Sequence, residues 1–164
     1  GDGYVIARHL QLAGRRVRIV TVVDLQRLSG DAGTNAVIAE RSAIEIRRAE
    51  SSKAVASWLE SSATIVDALL GTGAQGPLRG LFSDAVSAAN SSSAMRIAID
   101  IPTGLDCDSG VASEVAFRAD HTITFVAAKI GFTKENADAY VGEVHQVGIG
   151  APQKLLDELL LGQS

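Results

Sequence analysis

The fold of this chain is decided by two stretches, Val66-Asp67-Ala68-Leu69-Leu70-Gly71-Thr72-Gly73 and Ala98-Ile99-Asp100-Ile101-Pro102-Thr103-Gly104. Each begins as an apolar strand that carries an aspartate and then breaks into a loop of small and hydroxyl side chains. The two aspartates lie 33 residues apart, about the length of one strand–helix–strand unit. Such units place their loops side by side at the carboxyl edge of a parallel sheet, where ligands bind. The sequence therefore predicts one polar pocket built from two loops.

The rest of the chain continues this alternation of strands and helices. Apolar runs predict strands at 17–23, 44–47, 64–70, 95–101, 121–127 and 140–147, and amphipathic patterns predict helices at 4–13, 29–43, 53–60, 79–89 and 152–161. Asp2 is predicted to cap the first helix. Strands that alternate with helices indicate an α/β fold. We expect a Rossmann-like three-layer sandwich, with a mostly parallel central sheet and helices on both faces.

Composition bounds the possible functions. The chain has 164 residues, 46% of them hydrophobic, which is enough for the core of a single domain. A net charge of −4 without a run of Lys or Arg gives no footprint for nucleic acid, and no apolar run is long enough to span a membrane. The single cysteine, Cys107, excludes an internal disulfide and is compatible with a reducing compartment. We expect a cytoplasmic protein that binds neither nucleic acid nor membrane.

The residues at the strand ends each allow two interpretations. Asp67, inside an apolar strand, either accepts hydrogen bonds from backbone amides of the next loop or binds a cation. Asp100 either caps the turn at Thr103 or performs acid–base chemistry at the carboxyl edge. Thr103 offers a hydroxyl and a carbonyl oxygen, and is otherwise an ordinary turn residue. Lys129 is either a surface lysine at a strand end or part of the pocket.

Other candidate groups give weaker signals. The glycine-rich loop of residues 71–77 can approach a phosphate closely, but it lacks the Gly-Lys-Ser/Thr sequence of a P-loop. The acidic residues of the 106–108 turn either bind a cation or are solvated, and Cys107 between them has no evident histidine partner. The three histidines, His9, His121 and His145, are isolated in sequence and show no metal-ligand spacing.

Several stretches together resemble the YjeF N-terminal domain family, the NAD(P)HX epimerases, which include the apolipoprotein A-I-binding proteins. The matching stretches are the start of the chain, Gly1-Asp2-Gly3, then the sequence from Val66 to Gly80, Asp100-Ile101-Pro102-Thr103-Gly104-Leu105-Asp106, Thr124-Phe125-Val126-Ala127-Ala128-Lys129-Ile130-Gly131, and Gly142-Glu143-Val144. Thr103 replaces the family's serine, and Ile130 replaces its proline. Only the second half of the family's Asn-Asn-Gly-Gly-Asp-Gly loop is present.

The resemblance implies that the substrate is hydrated NADH or NADPH and that the enzyme is an isomerase that interconverts its R and S epimers. It implies one potassium ion, with Asp67 and Thr103 as ligands, and no organic cofactor. Asp100 is the first candidate for acid–base catalysis and Lys129 the second. The residues implied to bind substrate are Gly1, Asp2, Gly71, Thr72, Gly73, Ala74, Gln75, Gly76, Pro77 and Asp100.

We expect residues 1–164 to form a single YjeF N-terminal-like domain that lacks the upstream strand and the start of the first loop of the family. A functional pairing with a dehydratase follows from the resemblance, and we also expect a homodimer. The alternative function is a non-catalytic binding or scaffold module on the same fold. Because Asp67 and Asp100 are both present, the sequence favours the enzyme.

Overall fold

The computed structural model describes residues 1–74, 76–152 and 154, in which helices and parallel strands alternate. The helices are α1 (Asp2–Leu12), α2 (Gly30–Arg41), α3 (Ser52–Leu59), α4 (Leu81–Asn90) and α5 (Asp138–Val141). The strands are β1 (Arg18–Thr21), β2 (Glu45–Arg48), β3 (Thr64–Asp67), β4 (Met95–Ile99), β5 (His121–Phe125) and β6 (Glu143–Val147). Short 3₁₀ helices cover Leu25–Arg27, Ile130–Thr133 and Glu135–Ala137. Most of the helix predicted at 152–161 lies outside the described residues.

The predicted α/β class is confirmed, and the parallel strands are divided between two hydrogen-bonded sheets. β1 pairs with β2, and the second sheet has the order β3-β4-β5-β6. In this second sheet Asp67 pairs with Ala98, and Ile99 pairs with Ile123. The carboxyl ends of β3, β4 and β5 therefore lie side by side, as the spacing of the two aspartates predicts.

Helices cover both faces of the two-stranded sheet. On one face, Ala7 of α1 and Ala39 of α2 pack with Ile19 and Ile46. The other face packs through Val20 against α3 and α4. The alternation follows from the period of two along a strand, because Ile19 and Val20 point to opposite faces. This arrangement gives the three predicted layers.

The four-stranded sheet packs one face against α4. Val86 of α4 is fully buried in a cluster with Ile65, Ala98 and Phe117. The opposite face carries the exposed hydrophobic residues Val66, Met95 and Val147 and also His121, the first residue of β5. None of the described helices is long and apolar enough to cross a membrane.

Three strands of the second sheet end earlier than the sequence predicts. β3 ends at Asp67, whose carboxylate accepts a hydrogen bond from the amide of Leu69 and turns the chain there. β4 and β5 end before Asp100 and Val126, which both adopt positive φ angles, 65° and 67°. A left-handed residue cannot continue a strand, so the loops that carry the candidate site begin at these points.

The start of α1 also corrects the sequence prediction. Asp2 is the first helical residue rather than the cap, and Gly1 occupies the N-cap position with no side-chain hydrogen bond. An aspartate in the first turn still interacts favourably with the helix dipole. α4 likewise starts two residues later than predicted, at Leu81 after Gly80.

Candidate active site at the carboxyl edge

Asp67 and Thr103 form a buried pair that joins the ends of β3 and β4. The Thr103 amide donates to Asp67 Oδ2 at 2.7 Å, and the Thr103 hydroxyl donates to Oδ1 at 2.7 Å. The amide of Leu69 donates to the same Oδ1 at 3.2 Å. Asp67 is 3% exposed and Thr103 is 1% exposed. The Asp67 carboxylate therefore accepts hydrogen bonds from backbone amides, as the first of its two interpretations predicts, and accepts one more from the Thr103 hydroxyl.

Burial raises the pKa of Asp67 above its ordinary value, while the hydrogen bonds from Thr103 and Leu69 act to lower it. None of the contacts recorded for Asp67 among the described residues comes from a cationic side chain. Desolvation of this carboxylate is thus offset by dipoles alone. A carboxylate in this state is stabilised by any cation that approaches its remaining lone pairs.

The polar atoms of Thr103 decide which oxygens could meet such a cation. Its hydroxyl donates to Asp67 and accepts from the amide of Leu70 at 3.3 Å, which leaves this oxygen one lone pair. Its carbonyl accepts one hydrogen bond, from the amide of Phe117 at 2.8 Å, and keeps a second lone pair. Asp67 Oδ2 also accepts a single bond. The donor set therefore fits a hard cation through a carboxylate oxygen and the carbonyl or hydroxyl oxygen of Thr103.

Asp100 follows β4 and is held by groups from β5. Its Oδ1 accepts from the Thr124 hydroxyl at 3.2 Å and from the Phe125 amide at 3.2 Å. The same oxygen lies 2.6 Å from Lys129 Nζ. Its φ of 65° is uncommon for a residue with a side chain, and such conformations concentrate at functional sites. Asp100 is thus fixed by the neighbouring strand and does not cap the Thr103 turn through its side chain.

Lys129 is part of this site and not a surface lysine. Its side chain is 19% exposed, and Nζ contacts both Asp100 and the carbonyl of Phe125, the latter at 3.3 Å. The following loop is fixed by Gly131, whose amide donates to the carbonyl of Cys107 at 2.7 Å. A Cβ at Gly131 would stand 2.6 Å from the carbonyl oxygen of Asp106, so the two loops pack at a distance only glycine permits. Asp100 and Lys129, the two candidates for acid–base catalysis, therefore form an ion pair whose geometry is fixed by the surrounding loops.

The glycine-rich loop follows β3 at the same edge. Gly71, Gly73 and Gly76 have open space where a Cβ would stand, and Gly76 has a positive φ of 84°. Thr72, Ala74 and Pro77 are exposed, and Gln75 lies outside the described residues. The loop therefore presents an open, sterically unobstructed backbone to solvent.

The remaining acidic and thiol groups have structural explanations. Asp106 Oδ1 accepts from the Ser109 amide, the Ser109 hydroxyl and the Asp108 amide, and these bonds lower its pKa. Burial, followed by the charges of the two neighbouring aspartates, raises the pKa of the Cys107 thiol. Its Sγ lies 3.9 Å from the carbonyl oxygen of Thr72, so it contacts the glycine-rich loop. A thiol with a raised pKa is a poor nucleophile.

The start of α1 lies against the end of β3. A Cβ at Gly3 would stand 2.8 Å from the Cβ of Ala68, the residue after Asp67. Gly1 and Asp2 are exposed at this end of the helix. The structure thus brings the first turn of α1 to the same edge as Asp67.

Two sets of residues are not found by sequence reasoning. Thr124, fully buried in β5, contacts Asp100, and no sequence signal indicates this, because its two strand neighbours are hydrophobic yet less buried. The prediction that the histidines are isolated is wrong for His121 and His145, whose ring nitrogens lie 3.1 Å apart. Their proximity depends on the register of β5 and β6, which sequence spacing does not reveal.

The fold and the candidate site define a class of protein, a parallel α/β domain with an acidic, glycine-rich candidate ligand site at the carboxyl ends of adjacent strands. Residues 1–131 match the family model described as YjeF-related protein N-terminus. The chain belongs to this family.

Two relatives named NAD(P)H-hydrate epimerase are similar over nearly the whole chain. The protein from Rhodopirellula baltica is 51% identical over 156 residues, which cover 95% of this chain and 64% of the relative. The protein from Pirellula staleyi is 43% identical and is covered over 71% of its length. A bifunctional NAD(P)H-hydrate repair enzyme Nnr from Pyrobaculum aerophilum is 39% identical over 99% of this chain and 32% of its own. This chain thus spans about two thirds of the first relative and about one third of the bifunctional one.

The crystal structure of the yeast protein ynu0 has the same fold. It aligns with a TM-score of 0.76 over 96% of this chain and 65% of the yeast chain. The sequence identity of 19% limits this likeness to the fold.

Proposed function

We propose that this protein is an NAD(P)H-hydrate epimerase, an isomerase that interconverts the R and S epimers of hydrated NADH and NADPH. The two relatives with the highest identity described above carry that name. The observation that carries the proposal within the structure is the contact between Asp100 and Lys129, 2.6 Å apart at the ligand-binding edge of the sheet.

Asp100 and Lys129 are proposed to carry out the proton transfer that epimerisation requires. Inversion at a hydroxylated carbon needs one group that accepts a proton and another that returns it, and a carboxylate beside an ammonium supplies both. The hydrogen bonds from Thr124 and Phe125 fix the carboxylate before substrate arrives. Such preorganisation avoids reorienting the group during the reaction.

The dinucleotide is proposed to bind along the glycine-rich loop. The open space around Gly71 and Gly73 allows a phosphate to approach the backbone, whose amides are suitable donors. The first turn of α4, which begins at Leu81, adds a favourable dipole for a negative charge. Gly1, Asp2 and Asp100 complete the proposed contacts, together with residues 71–77.

A potassium ion is proposed at Asp67 and Thr103. Asp67 Oδ2 and the carbonyl and hydroxyl oxygens of Thr103 each keep a lone pair, and the ion would supply the positive charge that the buried carboxylate lacks. When bound, the ion would fix the end of β3 relative to the loop after β4. The ion takes no part in the proton transfer, which is proposed for Asp100 and Lys129.

Three proposals concern the setting of the enzyme. Pairing with a dehydratase is supported by the relatives named as bifunctional repair enzymes. A homodimer and a cytoplasmic location are proposed as well. The single Cys107, which forms no disulfide, fits a reducing compartment.

A coupled assay tests the epimerase against the scaffold alternative. A mixture of R and S hydrates is given to an S-specific dehydratase, and recovery of NADH absorbance is followed with and without this protein. The epimerase predicts that the R fraction is recovered faster than by spontaneous exchange. A scaffold predicts that, once the S fraction is used up, recovery continues only at the spontaneous rate, even when the protein binds the dinucleotide.

A further inference from the structure

Three potential metal ligands meet at the amino-terminal end of β5 and β6. The His121 ring nitrogen Nδ1 faces His145 Nε2 at 3.1 Å. Glu143 Oε2 lies 3.5 Å from His121 Nδ1, and Glu143 Oε1 lies 3.9 Å from His145 Nε2. From this geometry we propose that His121, Glu143 and His145 bind one divalent transition-metal ion of the zinc class.

The strand register creates this cluster. Glu143 and His145 are two residues apart on β6, so they point to the same face of the sheet, and His121 pairs directly with Glu143. Gly142 fixes this register. Its φ is 55°, and a Cβ there would stand 2.3 Å from the carbonyl oxygen of Asp120, so the start of β6 is pressed against the start of β5. The three side chains are therefore positioned by the backbone and not by chance contact of flexible loops.

The two ring nitrogens, 3.1 Å apart, are within hydrogen-bonding distance of each other, but the Glu143 distances favour a shared ion. At 3.5 Å and 3.9 Å, the Glu143 oxygens are too far from the ring nitrogens for good hydrogen bonds. In a tetrahedral zinc site with metal–nitrogen bonds of about 2.1 Å, neighbouring ligand atoms are separated by roughly 3.4 Å. The three observed separations lie on both sides of that value. Small side-chain adjustments would therefore complete the coordination.

The chemistry of the ligands selects the metal class. Two imidazole nitrogens and one carboxylate suit zinc and its neighbours better than calcium or magnesium, which prefer oxygen ligands throughout. Three protein ligands leave a fourth position open to water. The side chains of His121, His145 and Glu143 are 35%, 43% and 68% exposed, so an ion can enter from solvent.

This site is distinct from the carboxyl-edge site. His121 and Glu143 are the first residues of their five-residue strands, whereas Asp100 and Lys129 lie beyond the other end. Four residues of strand separate the two ends by about 13 Å. A bound ion would link the edge strand β6 to β5, which is a stabilising role that does not depend on the proposed epimerase activity.

Zinc binding to the complete, tag-free chain tests the proposal. Zn²⁺ is titrated against a chromophoric chelator, with His121→Gln and His145→Gln as test variants and His9→Gln as the matched control, because His9 is exposed on α1 and is not a member of the cluster. We expect the wild type and His9→Gln to bind one Zn²⁺ per chain, and each test variant to lose at least tenfold in affinity. Equal binding by the wild type and the His121→Gln/His145→Gln double variant would overturn the proposal.

A spectroscopic measurement on the unmodified protein removes any dependence on the folding of the variants. Zn²⁺ is added while the ring-proton resonances of the three histidines are followed by NMR. We expect two histidines to shift together at one equivalent and the third to stay unchanged. With Co²⁺ as the probe, a thiolate charge-transfer band would instead assign the ion to Cys107 and contradict the proposal.

Discussion

The Thr103 hydroxyl connects the buried carboxylate of Asp67 to the half-buried Leu70. It donates to Asp67 and accepts from the amide of Leu70, so removing it deprives the carboxylate of one donor and the amide of its acceptor. We expect Thr103→Val to lower the free energy of unfolding by about 1–3 kcal/mol. Thr103→Ser, which keeps the hydroxyl and loses one methyl group, should cost about 1 kcal/mol or less.

Urea denaturation monitored by circular dichroism measures both variants. The informative quantity is the difference between the valine and serine variants, since both lose native contacts of the threonine side chain. A valine variant as stable as the serine variant would mean that the hydroxyl does not hold Asp67 as described.

Asp67 gives the folded protein a defined pH dependence. Burial raises its pKa above 3.8 in the folded state, so the folded protein holds this proton more tightly than the unfolded chain does. Lowering the pH through the raised pKa therefore stabilises the folded state, and the gain is complete below about 3.8. Asp106 and Asp120, whose pKa values are lowered by hydrogen bonds, act in the opposite direction.

Comparison with Asp67→Asn isolates this contribution. In potassium-free buffer, we expect the stability of the wild type relative to the variant to increase as the pH falls, by up to about 1.4 kcal/mol per pH unit. Potassium chloride should reduce this slope, because the proposed ion favours the charged carboxylate. Denaturation at several pH values provides the data. A difference that is independent of pH in potassium-free buffer would contradict the burial argument, and a slope unchanged by potassium would contradict the ion site.

A larger side chain in the glycine-rich loop after β3 tests whether this loop binds the dinucleotide. A Cβ at Gly73 would meet nothing within 4 Å, and Gly73 has no positive φ, so the fold tolerates a larger side chain there. We expect Gly73→Val to weaken binding of the dinucleotide at least tenfold while leaving the melting temperature unchanged. Gly148→Val is the matched control, because Gly148 is equally unobstructed and follows β6. Unaltered dinucleotide affinity in Gly73→Val would remove the loop from the binding site.

The elements show what sequence patterns can and cannot predict. The strands and helices follow from apolar periodicity, and their ends follow from backbone geometry that periodicity does not encode. The apolar run predicts that β3 reaches residue 70, yet the side chain of Asp67 turns the chain at Leu69. The positive φ of Asp100 similarly ends β4 two residues early. Both deviations occur at candidate site residues, where local strain is common.

Across the whole molecule, strand order decides which residues meet. The 33-residue spacing of the two aspartates predicted adjacent loops, and β3 and β4 are indeed neighbours. The sequence alone could not show that Lys129 reaches Asp100, because this depends on β5 lying beside β4. The histidine cluster was missed for the same reason, since it requires the register of β5 with β6. Pairing of the two strands within one strand–helix–strand unit can be predicted from sequence. Contacts between side chains of different units depend on the order and register of the strands, which sequence spacing does not give.

Asp100, paired with Lys129, is proposed to carry out the proton transfer of epimerisation. Asp100→Asn is nearly isosteric, and asparagine tolerates the positive φ at this position, so the fold should be retained. Asp31→Asn, an exposed position in the first turn of α2, is the matched control.

The most direct test is the rate of R-to-S exchange by wild type, Asp100→Asn and Asp31→Asn in the assay coupled to an S-specific dehydratase. We expect Asp31→Asn to match the wild type and Asp100→Asn to slow the exchange by roughly 10²–10⁴-fold with unchanged circular dichroism. If Asp100→Asn recovers the R fraction as fast as the wild type, the carboxylate only fixes its loop and does not transfer the proton.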